Sequence, residues 1–347
     1  VTGARRFFIG GLSLANQILL APLAGVTIPS LRLLFTRLGA GATHTEMISC
    51  AGLLAAAGAR RGSATSKTER MLSLLAGEAP VVLQLFAGDA DTLFSGAVLA
   101  LEEQRAFSAL GINMACPMPK VLKKGAGSRL LDRPEIAFEM VRRLVGLGLP
   151  VWPKIRKCPP SAPLSTEAFC EGLLQAGAAT VTVHGRTPAQ RYEGEADASL
   201  PVRLAELFPD RICASGDVFS TERAAEYLDG GCAAVMLARG AIADPFLLPR
   251  TLAHMGFGVS EELLNPSLEL QLAMLIDFGD SVCSEAGPRI ASLMVKRLLS
   301  GLFKGQPGVG ALRRAAATLL SWYDLRNMIK DCGGYFERRE FHSGCAE

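Results

Sequence analysis

Along roughly the first 240 residues, short apolar runs alternate with longer segments whose apolar residues recur every three or four positions. The short runs are Ile18–Leu20, Ala42–Glu46, Val81–Leu85, Gly111–Met114, Val151–Ile155, Thr180–His184, Arg211–Ala214 and Ala234–Ala238. They read as buried strands. The segments Ser30–Leu38, Asp91–Leu110, Pro134–Val145, Ser165–Ala176 and Thr221–Leu228 read as helices with one apolar face. Strands followed in most cases by a helix imply parallel strands joined by right-handed crossovers. Eight such units in about 240 residues are the usual size of a closed (β/α)8 barrel, the TIM barrel. A doubly wound open sheet is the structural rival. Its dinucleotide-binding version is weakened because no GxGxxG follows the first strand.

After Leu252 the alternation stops. Glu261–Phe278, Ile290–Leu302 and Val309–Leu320 read as helices with no strand between them, and Pro307-Gly308 makes a turn before the third. The expected organisation is therefore a catalytic barrel over residues 1–252 and a small helical domain over 253–347. The tail Gly333–Glu347 is expected to be poorly ordered. Phe7 to Leu31 carries no charge and follows Arg5-Arg6, which superficially resembles a signal peptide or membrane span. Asn16-Gln17 in its middle and Gly10, Gly11, Pro22, Gly25 and Pro29 break it into short pieces. A buried strand entering a turn explains it better, so neither an export signal nor a membrane segment is read there.

Composition narrows the picture only slightly. A hydrophobic share of 49% with 20% charged residues suits a globular chain of 347 residues, and the formal net charge is +3. So small an excess argues no global affinity for nucleic acid but leaves room for a local basic surface. The nine cysteines are scattered, form no CxxC and show no metal-ligand spacing. They read as reduced thiols, which places the chain in the cytoplasm and predicts no metal site. A monomer is expected.

Barrel enzymes carry their chemistry where the strands end, because the βα loops converge there. Nearly every strand in this chain ends in polar or glycine-rich residues: Ala21-Pro22-Leu23-Ala24-Gly25, Thr45-Glu46-Met47, Gln84-Leu85-Phe86, Asn113-Met114-Ala115-Cys116-Pro117, Lys154-Ile155-Arg156, His184-Gly185-Arg186-Thr187, Ser215-Gly216-Asp217 and Ala238-Arg239-Gly240. The last two can present backbone N–H groups to a phosphate, with Arg239 adding a fixed charge. Taken singly, Gly216 and Gly240 are turn glycines and Arg239 a solvated side chain. Taken in barrel order, a phosphate site is the better reading. Lys154 ends an apolar strand and needs an anionic partner, unless it only snorkels from the rim. Gln84 offers a donor and an acceptor edge suited to a heterocycle, and His184 gains weight only from its company. Cys116 differs from the other thiols, because it lies at the mouth near Lys120, Lys123 and Lys124. A thiol there can be nucleophile, thiolate or proton donor, and at an ordinary pKa near 8.5 it stays mostly protonated at neutral pH.

The ordered set APLAG, TEM, VLQLF, NMACPMPKVLKKGAGSRLL, KIR, VTVHGRT, SGD and ARGAIADPFLL resembles the tRNA-dihydrouridine synthases, from about Leu20 to Leu248. The likeness continues more weakly through Lys296-Arg297, Lys304-Gly305-Gln306-Pro307-Gly308 and Leu312-Arg313-Arg314. It implies an FMN enzyme that reduces the C5–C6 bond of a uridine in tRNA with NADPH as reductant. In that scheme Cys116 gives a proton to C5 while flavin N5 gives hydride to C6. Pro22 and Ala24 would pass against the flavin, and Gln84, Lys154 and His184 would contact its ring. Ser215, Gly216, Asp217, Ala238 and Arg239 would line its phosphate. Asn113 and Arg186 would hold a uracil flipped from the RNA stack, and Lys120, Lys123 and Lys124 would take RNA phosphates.

Several positions depart from the family's usual pattern. Ala115 stands for Gly before the cysteine, Ser215 for Asn, and Ala238 for Gly. Thr27-Ile28-Pro29 lacks an Asp, and Lys157-Cys158-Pro159-Pro160 is unusual after KIR. The substitutions at Ser215 and Ala238 would weaken FMN binding. Two other functions therefore stay open. One is another flavin-dependent barrel oxidoreductase acting on a small planar substrate, and the other is a flavin-free tRNA-binding protein.

Overall fold

The strand-like runs do close on themselves. The computed structural model describes residues 6–58, 70–303 and 309–331. The tail Gly333–Glu347, the turn at Pro307-Gly308 and the segment Lys304–Gly308 lie outside them. Eleven strands are present among the described residues, β1 (Phe7–Ile9), β2 (Leu12–Leu14), β3 (Ile18–Leu20), β4 (Thr43–His44), β5 (Ile48–Ser49), β6 (Val81–Phe86), β7 (Ala109–Met114), β8 (Val151–Arg156), β9 (Val181–His184), β10 (Ile212–Ser215) and β11 (Ala234–Leu237). All pairings from β3 and β4 to β11 are parallel, in the order β3-β11-β10-β9-β8-β7-β6-β4, with β5 prolonging the second barrel strand against β6. Closure comes from a bridge between Leu19 and Ala42, with the Leu20 amide donating to Ala42 O at 2.9 Å. This is the (β/α)8 barrel expected from the alternation.

Period-two alternation along each strand sorts its side chains. Leu83, Leu85, Leu110, Ile112, Ile155, Val183 and Ala214 face outward into the layer of helices. Leu19, Val82, Ala109, Trp152, Cys213 and Met236 face inward and pack with one another. Higher up on the same inward faces stand Gln84, Asn113, Lys154, His184 and Ser215, so strand geometry alone delivers them to the mouth. The bottom of the barrel is plugged by the β1–β2 hairpin, whose Gly10 carbonyl accepts from Trp152 Nε1 at 2.8 Å. The buried strand expected in the uncharged stretch from Phe7 to Leu31 is β3, and the hairpin ahead of it was not anticipated. Its turn is Gly10-Gly11, and Ile9 and Leu14 are its buried residues.

Capping side chains start the helices of the outer layer. Asp89 accepts from the Thr92 amide, Ser165 from Ala168 and Ser220 from Arg223. The helix expected over Asp91–Leu110 ends at Glu103, and Ala109-Leu110 belong to β7. Helices at Cys50–Gly58, Ser199–Leu207 and Leu247–His254 were not anticipated. Beyond the barrel, the helix expected over Glu261–Phe278 is two, Glu261–Leu264 and Leu268–Ala286, because Pro266 interrupts it and Ser267 caps the second. Pro288–Leu299 and Val309–Thr318 follow, and residues 322–331 are also helical. Side chains of this helical part reach the mouth side of the barrel. Glu285 accepts from both the amide and the hydroxyl of Ser30, and Arg297 donates to the Gly25 carbonyl in the loop after β3.

Candidate active site

A cavity of about 230 Å³ opens at the C-terminal ends of the barrel strands. Its wall includes Pro22, Ala24, Gln84, Asn113, Cys116, Lys154, His184, Ser215, Gly216, Asp217, Ala238 and Arg239, which stand at separate strand ends in the sequence. Three expected residues, Lys120, Lys123 and Lys124, stay outside it on the exposed loop and short helix that follow β7. Arg186 also stays off the wall, buried behind it at 2% exposure.

The cysteine loop is held from two sides. Asn113 Oδ1 accepts from the Cys116 amide at 3.0 Å and the Ala115 amide at 3.2 Å, while its Nδ2 donates to Gln84 Oε1 at 3.0 Å. From below, the Ser128 amide and hydroxyl both donate to the Cys116 carbonyl, at 3.0 and 3.2 Å. Gly127 makes that approach possible. Its φ is +63°, and a Cβ there would stand 2.5 Å from the Cys116 carbonyl oxygen. Arg156, buried at the end of β8, donates from Nε to Ala115 O at 2.9 Å and from Nη1 to the carbonyls of Thr187 and Arg191. Burial raises the Cys116 thiol above its ordinary pKa, and the Met118 amide and the Arg156 charge only partly oppose this. A fixed thiol that keeps its proton at neutral pH is suited to giving it away, and less suited to attacking as a thiolate.

Beside it, polar groups are left short of partners. Gln84 is 1% exposed and its Nε2 has no hydrogen-bond partner among the described residues, a burden that folded proteins rarely carry without purpose. Among the described residues Lys154 reaches only Ser215 Oγ, at 3.5 Å. Burial, with the Arg156 charge adding to it, brings its pKa down to about 7. His184 is neutral, held down to about 2 by burial and then by the charges of Lys154, Arg156 and Arg186. An amide N–H, a dehydrated ammonium and a neutral imidazole on one wall suit a planar heterocycle that is rich in acceptors or anionic.

Across the cavity the charges are already matched. Arg186 grips Asp217 with two bonds, Nη1 to Oδ1 at 2.7 Å and Nη2 to Oδ2 at 2.6 Å, and directs further N–H groups to the carbonyls of Glu193 and Gly194. Asp217 also accepts from the Ala196 amide at 2.9 Å and from Arg239 at 3.0 Å. Burial alone would raise the Asp217 carboxyl, but the Arg186 bonds, the Ala196 amide and the two guanidinium charges together lower it. Gly216, with φ at +126°, turns the chain so that Asp217 meets both arginines, and a side chain there would strike the His184 ring 2.8 Å away. Arg186 was expected to hold substrate. In the structure its donors are consumed, so it positions Asp217 instead.

Met47, Met118, Arg156, Arg191, Tyr192 and Phe219 also line the cavity and had no assigned role. KIR carried a signal for Arg156. Tyr192 and Phe219 lie in loops without periodicity, where only their size and exposure set them apart. Among the described residues, no group of three or more His, Cys, Asp or Glu could hold a metal ion, and no helix is long and apolar enough to cross a membrane.

The barrel fold and the sequence both match known proteins. A solved structure of morphinone reductase in complex with tetrahydroNAD matches with a TM-score of 0.51 at 15% identity, over 74% of this chain and 91% of that one. This likeness speaks for the barrel fold alone. In sequence the chain is 30% identical to a probable tRNA-dihydrouridine synthase 1 of Synechocystis sp., over 94% of this chain and 89% of that protein. It is 31% identical to a probable tRNA-dihydrouridine synthase of Treponema pallidum, over 93% and 95%. Identity is again 31% to the tRNA-dihydrouridine synthase B of Pasteurella multocida, over 85% and 87%. A profile of the dihydrouridine synthase family matches residues 19–319, so the chain belongs to that family.

Proposed function

We propose that the protein reduces the C5–C6 bond of a uridine in tRNA, with FMN held at the barrel mouth and NADPH as the reductant. The observation that carries this reading is the pairing of a fixed, protonated Cys116 with the unpartnered Gln84 Nε2 and the dehydrated Lys154 on one wall. Those groups fit an isoalloxazine ring, whose carbonyl and nitrogen edge would take the Gln84 N–H and whose negative charge on reduction would be met by Lys154. Gly216, Asp217, Ser215, Ala238 and Arg239 border the end of the cavity where its phosphate would lie, and Pro22 and Ala24 the wall against the ring. When bound there, FMN would supply the hydride for uridine C6, with NADPH as the source of its electrons.

The chain's own part is proton delivery and positioning. Asn113 fixes the Cys116 amide and thereby the Sγ, which gives its proton to C5 as C6 is reduced. The thiolate left on Cys116 lies in the field of Arg156 and takes a proton from water before the next turnover. Arg156, Met118 and Tyr192 border the space in which a flipped uracil would be held. The barrel, residues 1–252, would carry the chemistry. The helices of 253–347, with the exposed Lys120, Lys123 and Lys124, would meet the RNA by shape and charge.

The test begins with the visible spectrum of the purified protein and identification of the released chromophore. Unmodified tRNA transcript is then incubated with the protein and NADPH, and dihydrouridine is measured by mass spectrometry. One FMN per chain and NADPH-dependent appearance of dihydrouridine are expected. A protein that stays colourless after addition of FMN would end this reading and bring RNA binding without flavin forward.

A further inference from the structure

Arg239 is held in an unusual way for a side chain at the rim of a cavity. Its guanidinium carbon lies 4.6 Å from the centre of the Tyr192 ring and 5.4 Å from that of Phe219. The two rings come from different loops, after β9 and after β10, and both are more than half exposed, at 58% and 53%. Asp217 takes one N–H of Arg239 at 3.0 Å, the only hydrogen bond that Arg239 makes among the described residues. A free arginine on a surface samples many rotamers, and ordering it for a ligand costs about 2 kcal/mol of side-chain entropy. Here two aromatic rings and one carboxylate remove that freedom in advance, while most of the five N–H donors of the guanidinium stay unused.

The neighbouring arginines show what is particular about this one. Arg186 has its donors committed to Asp217 and two carbonyls, and Arg156 has at least three committed to carbonyls. Arg156 also lies over the Tyr192 ring, at 5.8 Å, but Arg239 is the one of the three that sits between two rings with most of its donors left for something else. It stands on the cavity wall beside Gly216, Ser215 and Gly240. A tetrahedral dianion is the ligand that a pre-ordered guanidinium with unused donors fits best.

We propose that Tyr192 and Phe219 are positioning residues for a phosphate monoester, acting through Arg239, and that they set how slowly the bound flavin mononucleotide leaves. This rests on the reading of the cavity as an FMN site. The two rings do not touch the phosphate themselves. They hold Arg239 face-on so that its edge is presented to the phosphate, and the benefit is confined to ligands that carry one.

Riboflavin, which is the same ring system without the phosphate, makes the test specific. Dissociation rates and Kd of FMN and of riboflavin are measured by flavin fluorescence for wild type, Tyr192→Ala, Phe219→Ala, Tyr192→Phe and Phe219→Tyr, with flavin stripped and reloaded in each. Each alanine variant is expected to release FMN about tenfold faster and to bind riboflavin within about twofold of wild type. The conservative variants, which keep a ring over the guanidinium, are expected to restore FMN retention. Equal losses for FMN and riboflavin would show that the rings shape the pocket for the heterocycle, and would overturn the proposal. So would unchanged FMN release, including the case in which only tRNA affinity falls and the rings serve RNA. A wild-type protein that takes up neither flavin would instead remove the FMN reading itself, and this inference with it.

Discussion

The two walls of the cavity are made by the same device, inward side chains at the ends of parallel strands, yet they are in opposite electrostatic condition. The wall from β6, β7 and β8 carries an amide N–H without a partner, a dehydrated lysine with one long contact, and a thiol that burial keeps protonated. The wall from the ends of β9, β10 and β11 carries the matched pair Arg186 and Asp217, whose carboxylate receives four hydrogen bonds among the described residues, and at its edge Arg239 keeps most of its donors free. Unmet groups mark where a ligand's atoms must come, because each otherwise destabilises the fold by about 1–3 kcal/mol. Met groups mark the frame. The HGRT motif sits squarely in the frame, although its arginine looks like a ligand-binding residue by type.

Breaking the unmet wall should cost function and spare the fold, and Cys116 is the sharpest case. Cys116→Ala should lower tRNA uridine reduction by about 10²–10⁴-fold, with the thermal midpoint within about 2 °C of wild type. Turnover with saturating tRNA and a melting curve on the same preparation decide it. Full turnover by the variant would remove the thiol from the mechanism. Its pH dependence has a definite sign. The thiol must be protonated to act and its pKa lies above the ordinary value, so the Cys116-dependent rate should hold through neutrality and fall only at alkaline pH.

The matched wall should behave the other way. Arg186→Ala leaves Asp217 facing Arg239 alone and removes a side chain that is 3% exposed. A loss of about 3–5 kcal/mol in unfolding free energy is expected, as for one partner of a buried pair. Denaturant titration measures it. A variant as stable as wild type, yet unable to bind substrate, would restore Arg186 to the ligand-binding role expected of it.

Lys154 tests whether the unmet wall is truly dehydrated. In the unfolded chain a lysine holds its proton to about pH 10.4, whereas in the fold Lys154 releases it near 7. Between those values the unfolded state binds more protons, so stability rises with pH. Flavin-free wild type should therefore gain stability relative to Lys154→Met as pH is raised from about 7 towards 10. A flat difference between the two would show that the ammonium is solvated.

Much of this site was legible in advance, and the reasons are geometric. Once the strands are recognised as parallel and closed, their C-terminal residues must share one mouth, and twelve of the expected residues do line one cavity. Residue type and strand end sufficed for Gln84, Lys154 and Cys116. What stayed hidden was pairing between loops. Arg186 and Asp217 are 31 positions apart, and nothing local to either says that they meet. Tyr192 and Phe219 stand in loops where no periodicity directs a side chain inward or outward. Among the elements, Ala109-Leu110 were read as helix because a short apolar run fits either period. The hairpin at Phe7–Leu14 was missed because each of its strands is only three residues long and Gly10-Gly11 read as one of several breaks in an uncharged stretch.

The smallest expected effect lies outside both walls. Lys120, Lys123 and Lys124 are exposed on the segment that carries Cys116, and Lys124 lies over the Phe86 ring, 5.8 Å from its centre. If they meet RNA phosphates, they act through counterion release, which adds affinity without touching the chemistry. Replacing all three by alanine should leave kcat at saturating tRNA near wild type and weaken tRNA binding. It should also flatten the slope of log Kd against log salt by about 2–3, roughly one for each phosphate that is no longer neutralised. Binding measured by filter retention between about 50 and 200 mM salt would show it, at concentrations where that slope is linear. An unchanged slope would move the RNA-binding surface off this segment and onto the helices beyond the barrel. Arg297, whose side chain already reaches the loop after β3, would then be the place to look for a connection between RNA docking and the mouth.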